Sequence, residues 1–171
     1  MFPMKNNKGF TLVEMLACVV TILLVGLICA SGINIAINSY RESVFESESQ
    51  MLNATMNLYV SDILRHATNV RVDADDPEPE VTGFTNTAYQ IYDGNFYIDD
   101  HYHLYCSTKQ NPTGSLVVGK GNYGKTLQIR SFRLYYDGET QMFRGSYTIG
   151  SSVSDKLIRE YSFTYRAIAG E

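Results

Sequence analysis

The hydrophobic and polar positions divide the chain into stretches of different periodicity. The first stretch is apolar without a break: from Phe10 to Tyr40 the one charged side chain is Glu14. An apolar stretch of this length exceeds the roughly 20 residues that a helix needs to cross a bilayer. The pattern therefore predicts a membrane-spanning helix, which we place at residues 10–36.

The apolar stretch continues into a segment in which apolar residues recur every three or four positions. No proline interrupts it before Pro77. This spacing is typical of one apolar stripe on an amphipathic helix, so we predict that the helix continues through residues 37–70. A coiled coil is an alternative for so long a helix, although this stripe lacks sustained heptads. The stripe consists of Ile37, Tyr40, Val44, Met51/Leu52, Met56, Tyr59, Ile63, Ala67 and Val70.

An acidic run with two prolines, Asp73–Glu80, ends the helical pattern, and short strands follow it. Two Asp-Gly pairs, Asp93-Gly94 and Asp137-Gly138, each lie between apolar runs and predict β-hairpins. The last strand, at Leu157–Ala169, alternates apolar and polar residues. Because strands follow strands with no helical pattern between them, the sheet should be antiparallel. We thus expect an α+β fold in which residues 71–171 form a β-rich head packed on the helix.

Composition excludes several classes of function. The net charge of −4 and the pI near 5.4 argue against direct nucleic-acid binding, which needs clustered Lys and Arg. Cys18 and Cys29 lie in the apolar stretch and Cys106 stands alone in the head, so no disulfide framework is expected. Nucleophile-elbow, Cys-x-x-Cys and phosphate-loop motifs do not occur in the sequence. We therefore expect neither an enzyme nor a cofactor.

The first nine residues form a short leader, which is basic because it contains Lys5 and Lys8. Basic residues next to a membrane span keep that end in the cytoplasm. The expected topology is a single-pass membrane protein with a cytoplasmic N-terminus and an extracytoplasmic head.

The junction between this leader and the apolar stretch reads Lys8-Gly9-Phe10-Thr11-Leu12-Val13-Glu14. A basic leader that ends in glycine, followed by an aromatic residue and one acid in an uncharged span, resembles the type IV prepilins. It is equally similar to the pseudopilins of type II secretion and of competence. The resemblance covers about the first 35 residues and implies a pilin-like fold.

The resemblance also implies roles for particular residues. Residues 1–9 would be a prepilin leader, in which Lys8 belongs to the processing signal and Gly9 is the last residue before the cut. A prepilin peptidase would cleave there and methylate the new N-terminus at Phe10. Glu14 would pair with the N-terminal amine of a neighbouring subunit during assembly. The implied partners are other pilin subunits, the peptidase/methyltransferase, the pilus assembly machinery and the membrane, and the product is a cell-surface or envelope-spanning filament.

The chain departs from the family in two ways, and the second, together with the small sheet domain, favours a minor pilin or pseudopilin. Many pilins have a proline part-way along the helix, where this chain has Ser31-Gly32. Many major pilins close a C-terminal loop with a disulfide, whereas Cys106 has no partner cysteine in the head. Adhesion, motility, secretion and DNA uptake all stay open as roles of the filament.

Alternative cleavage sites point to a second function. Ala30-Ser31-Gly32 has the small residues of a signal-peptidase site, although the apolar run before it is too long and contains Glu14. Met15–Cys18 faintly resembles a lipoprotein box, but little apolar sequence precedes it. Use of such a site, or none, would give a secreted or signal-anchored binding module that does not polymerise.

Metal binding is a further alternative in the head. His101 and His103 lie on one face of a strand, and Asp99 or His66 is a conceivable third ligand. The acidic run Asp73–Glu80 is a conceivable cation loop, although it lacks the glycine and terminal glutamate of an EF-hand. We expect a solvated turn and a solvated loop instead, and no metal.

Overall fold

The computed structural model describes residues 11–73 and 79–168. Its first element is one helix, α1, at Leu12–Arg65. The chain forms two compact units that divide within this helix, between Ser43 and Val44. The prediction of one long N-terminal helix is confirmed.

Helix α1 ends earlier than the predicted residue 70, and that boundary was wrong. The N–H of Ala67 donates to the carbonyl of Leu64 at 3.1 Å, which closes the last turn. Strand β1 then begins at Thr68 and includes Val70. The threonine and valines of this segment favour an extended chain, and pairing with β2 overrides the helical spacing.

The strands form two antiparallel sheets, which confirms the predicted α+β class and strand direction. Five strands, in the order β1-β2-β3-β4-β5, make the first sheet, and three strands, in the order β6-β7-β8, make the second. In the chain, a short 3-10 helix at Lys120–Tyr123 connects the first sheet to the second. The strands are β1 Thr68–Val72, β2 Val81–Asn86, β3 Ile91–Ile98, β4 Leu104–Ser107, β5 Ser115–Leu116, β6 Leu127–Asp137, β7 Met142–Ser151 and β8 Ile158–Arg166.

The hairpin predicted at Asp137-Gly138 is confirmed and joins β6 to β7. The Asp137 carboxylate accepts hydrogen bonds from the Thr140 hydroxyl at 2.7 Å and from the Glu139 N–H at 3.0 Å. These bonds lower the pKa of Asp137, the hydroxyl of Thr140 having the largest effect. The aspartate therefore caps its own turn, which is the local reason for the reversal.

The hairpin predicted at Asp93-Gly94 was wrong, because β3 runs straight through this pair. Asp93 has a φ of +55°, the left-handed conformation that an Asp-Gly turn uses and that a bulge uses as well. The pairing of β2 with β3 shifts register near Gly94, and Asp93 forms an ion pair with Arg71 of β1. Pairing on both sides holds the strand extended.

In the second half of α1, the buried face of the helix is rotated from the predicted apolar stripe. Leu52 and Met56 are buried as expected, but Met51 and Tyr59 are 68% and 49% exposed. The buried positions still recur every three or four residues, as an amphipathic helix requires. They are Phe45, Ser49, Leu52, Met56, Val60 and Leu64.

Polar contacts tie this half of α1 to the second sheet along one side of the apolar seam. The Tyr147 hydroxyl donates to the Asn53 side chain at 2.6 Å and lies almost fully buried. Three further contacts repeat the arrangement along the helix. They join Arg159 to Glu46 at 2.7 Å, Tyr161 to Ser49 at 3.2 Å and Tyr165 to Asn57 at 2.9 Å.

A substitution at Gly145 tests how tightly the second sheet is packed. A Cβ at this position in β7 would meet the Phe163 ring and lie 2.6 Å from the Arg133 carbonyl oxygen. We predict that Gly145→Ala lowers the free energy of unfolding by about 1–3 kcal/mol, the usual cost of overpacking. Urea denaturation of the full chain in detergent, followed by near-ultraviolet circular dichroism, measures this change.

Gly121→Ala is the matched control, because a Cβ at Gly121 has no neighbour within 4 Å. Its expected effect lies within about 0.5 kcal/mol. Equal denaturation midpoints for the two variants would contradict the packing described for Gly145.

Candidate functional site: the exposed apolar helix

The N-terminal part of α1 is apolar and fully exposed. All residues from Thr11 to Ser43 are exposed, although an 18-residue window of the helix has a mean hydropathy of 2.7. Among them Leu12, Ile22 and Leu27 are 84%, 70% and 69% exposed. By length and composition this helix is compatible with membrane anchoring.

The start of α1 is closed by a reciprocal cap between Thr11 and Glu14. The backbone N–H of Thr11 donates to Glu14 Oε2 at 2.9 Å, and the Thr11 hydroxyl donates to the same oxygen at 2.8 Å. In return, the Glu14 N–H lies 3.3 Å from Thr11 Oγ1. This arrangement is a capping box, which satisfies N–H groups that have no partner at a helix start.

The cap gives Glu14 a role that the sequence analysis missed. The spacing Thr-x-x-Glu before an apolar run is its recognisable sequence pattern, but we assigned Glu14 only to pairing with a neighbour. Within the described residues Oε2 accepts both hydrogen bonds, and none is made to Oε1. The carboxylate therefore keeps acceptor capacity for a second partner.

The other residues of the predicted processing site lie outside the described residues. These are Lys8, Gly9 and Phe10. Their roles in cleavage, methylation and assembly stay predictions.

Exposed apolar residues continue along α1 beyond the predicted span. Tyr40, Met51 and Leu58 are 71%, 68% and 65% exposed. In the second half of α1, Val44, Met51 and Leu58 recur every seven residues; Val44 is half-buried and the other two are exposed. Three residues after each of them comes a small residue: Ser47, Ala54 and Ser61. We call these six residues the heptad stripe, because their alternating three- and four-residue spacing is that of a coiled-coil seam.

The histidines of the head surround a capped turn. The Asp99 carboxylate accepts hydrogen bonds from the backbone N–H groups of His103 at 2.7 Å and His101 at 3.1 Å. Burial tends to raise the pKa of Asp99, but these hydrogen bonds and the electrostatic interactions with His103 and His101 together outweigh it, and the pKa is lowered. Among residues 11–73 and 79–168, no three His, Cys, Asp or Glu side chains form a group suited to a metal ion.

The three cysteines and only part of the acidic run lie within the described residues. Residues 74–78 of the run lie outside the described residues, so its cation binding is untested. Burial raises the pKa of the Cys106 thiol to about 12, so it is protonated and a poor nucleophile at neutral pH. Cys18 and Cys29 are exposed on the apolar helix.

A cavity of about 270 Å³ lies between α1 and the first sheet. Its lining combines apolar side chains, such as Ile63 and Leu116, with the hydroxyls of Tyr59, Thr108 and Ser115. None of the described residues that line it is a histidine or has a carboxylate side chain. No protein-family model, curated protein or solved structure matches the chain.

Proposed function

We propose that this chain is a structural subunit of a type IV pilus or related pseudopilus. It is cleaved after Gly9, methylated at Phe10 and assembled through α1. The observation that carries this proposal is the heptad stripe, in which the apolar side chains of Met51 and Leu58 are exposed.

A membrane anchor alone does not account for this stripe. An anchor needs about 20 apolar residues, which the segment before residue 37 supplies. Met51 and Leu58 lie about two and three heptads beyond that segment, on the side of the helix opposite its buried residues. Exposed apolar surface of this kind is typical of a protein–protein contact, and its heptad spacing suits another helix.

The two parts of the exposed helix act in sequence. Before assembly, residues 10–36 hold the subunit in the membrane as a single-pass protein with the basic leader in the cytoplasm. On assembly, helices of neighbouring subunits replace lipid around this segment and cover the heptad stripe. The head then faces outward on a cell-surface or envelope-spanning filament.

Glu14 links processing to assembly. A charged side chain in the middle of a bilayer costs roughly 2.5–3.5 kcal/mol on insertion scales. The Thr11 cap offsets part of this cost within the subunit by satisfying one carboxylate oxygen. Cleavage after Gly9 creates an amine at Phe10, and the free Oε1 of a neighbour's Glu14 accepts it as a charge-assisted hydrogen bond.

The identity of the mature N-terminal residue distinguishes this proposal from the alternative, a binding module that does not polymerise. We predict that intact-mass and peptide mass spectrometry of the protein from its native envelope finds Phe10 at the N-terminus with one methyl group. Gly9→Leu should retain Met1, because a side chain there crowds the peptidase. Gly26→Leu, at a glycine with no neighbour within 4 Å, should be processed normally. A mature chain that starts at Ile33 or Met1 would support a binding module that does not polymerise.

Replacement of Glu14 tests the charge pair. Glu14→Gln keeps an oxygen for the Thr11 cap but removes the charge, so we predict normal cleavage, normal membrane extraction and at least about tenfold less filament incorporation. Loss of a charged hydrogen bond costs about 1.5–3 kcal/mol, and about 1.4 kcal/mol corresponds to tenfold.

Thr11→Val is the control, because it removes the capping hydroxyl and leaves the charge. Immunoblots of sheared filaments against the membrane fraction measure incorporation of both variants. Full incorporation of Glu14→Gln, or equal losses in the two variants, would remove the proposed pairing of Glu14 with a neighbouring amine.

A further inference from the structure

The cavity between α1 and the first sheet has an apolar floor and a mouth formed by tyrosines. The floor consists of Ile91, Cys106 and Val117, which are buried. At the mouth, Tyr59 of α1 and Tyr89, which precedes β3, are 49% and 51% exposed. The cavity therefore opens to solvent beside two phenol rings, while its inner end lies in the hydrophobic core.

Two hydroxyl groups of the lining make no hydrogen bond to the protein within the described residues. One belongs to Tyr59 of α1 and the other to Ser115 of β5, so they come from the helix wall and the sheet wall of the cavity. The other two hydroxyls are engaged, since Tyr89 donates to the Asp62 carboxylate and Thr108 accepts from a backbone N–H at 3.0 Å. The hydroxyls of Tyr59 and Ser115 are therefore free to bind a ligand.

The charge of the lining selects a neutral ligand. No histidine, carboxylate, lysine or arginine is among the described residues that line the cavity. The Cys106 thiol in the floor is neutral as well, because burial raises its pKa to about 12, and a protonated thiol does not bind metal. An ion would lose its hydration in this cavity without gaining a counter-ion, which is costly. The carboxylate of Asp62, beside Tyr89 at the mouth, further disfavours anions.

The volume of the cavity limits the size of the ligand. An apolar cavity of about 150 Å³ is large enough to bind benzene, and this cavity has about 270 Å³. Sites for drug-sized molecules have volumes of roughly 300–1,000 Å³. The space therefore suits a molecule with the bulk of two fused rings, and it is too small for a folded peptide or a long chain.

We propose that this cavity binds a small neutral ligand with an apolar body of about two fused rings and with hydrogen-bond acceptors. The rings pack on Ile91, Cys106 and Val117, and the acceptors receive hydrogen bonds from the hydroxyls of Tyr59 and Ser115. Apolar walls with a few polar groups that fix the orientation are the usual construction of a small-molecule site. The inference concerns the head alone and does not depend on filament assembly.

Equilibrium dialysis of coumarin against the full chain in a non-ionic detergent tests the proposal. Coumarin is a neutral bicyclic lactone, so it has both the ring body and the acceptors. Micelles take up coumarin in proportion to its concentration, whereas the cavity should give saturable binding of one molecule per chain. Coumarin-3-carboxylate adds a charge to the same rings and should bind at least about tenfold more weakly.

Removal of single hydroxyls tests whether coumarin binds in this cavity. Tyr59→Phe and Ser115→Ala each remove one hydroxyl and should each weaken binding about fivefold, which corresponds to one neutral hydrogen bond. Tyr92→Phe is the matched control, because Tyr92 is an exposed tyrosine that does not line the cavity. Its affinity for coumarin should lie within about twofold of that of the parent chain.

A larger side chain at position 115 should fill the cavity. Ser115 lies opposite Cys106 in the pairing of β4 with β5, so both side chains are on the same face of the sheet. Ser115→Phe should therefore abolish saturable binding, and near-ultraviolet circular dichroism checks that each variant is folded. The proposal would be overturned by a parent chain without saturable binding, by equal affinities of Tyr59→Phe and Tyr92→Phe, or by the carboxylate binding as tightly as coumarin.

Discussion

The seam between the second half of α1 and the second sheet is the constraint on which the rest of the structure depends. Apolar burial alone permits a helix to rotate in its groove, because one apolar side chain fills the space of another at modest cost. Two polar contacts prevent this rotation, because each needs a particular partner. They are the hydrogen bond from Tyr147 to Asn53 and the ion pair of Arg159 with Glu46. Leaving a buried hydroxyl unpaired costs about 1–3 kcal/mol. The seam therefore determines which side of the helix the head covers.

The fixed rotation of α1 has a consequence for the opposite side of the helix. Since Leu52 and Met56 pack inward, Met51 and Leu58 of the heptad stripe point outward and remain exposed. The same helix is exposed and apolar from its start at Leu12, where the Thr11 cap closes its first turn. One uninterrupted helix thus presents an apolar surface in both of its halves, and we propose that lipid and then neighbouring subunits cover it.

The sequence predicted the elements better than their pairing. The apolar run, the three- and four-residue spacing and the Asp137 turn depend on local interactions, so helix α1 and one hairpin were predicted correctly. Asp93-Gly94 has the same local pattern as Asp137-Gly138, but pairing with β2 and β4 makes it a bulge. The buried side of the helix was predicted incorrectly for two reasons. Ser49 is polar although it is buried, and Met51 and Tyr59 are large and apolar or aromatic although they are exposed. The Thr11 cap was recognisable in the sequence, from the spacing Thr-x-x-Glu before an apolar run.

Site-specific photo-crosslinking from position 58 tests the central claim most directly. A photoreactive phenylalanine analogue replaces Leu58 in cells that make filaments, and mass spectrometry identifies the peptides joined to it. The same analogue at position 160, on the far side of the head, is the control. Assembly through the heptad stripe predicts adducts between position 58 and peptides of α1 from a second copy, with few such adducts from position 160. Filaments in which position 58 yields only uncrosslinked chain would contradict the account.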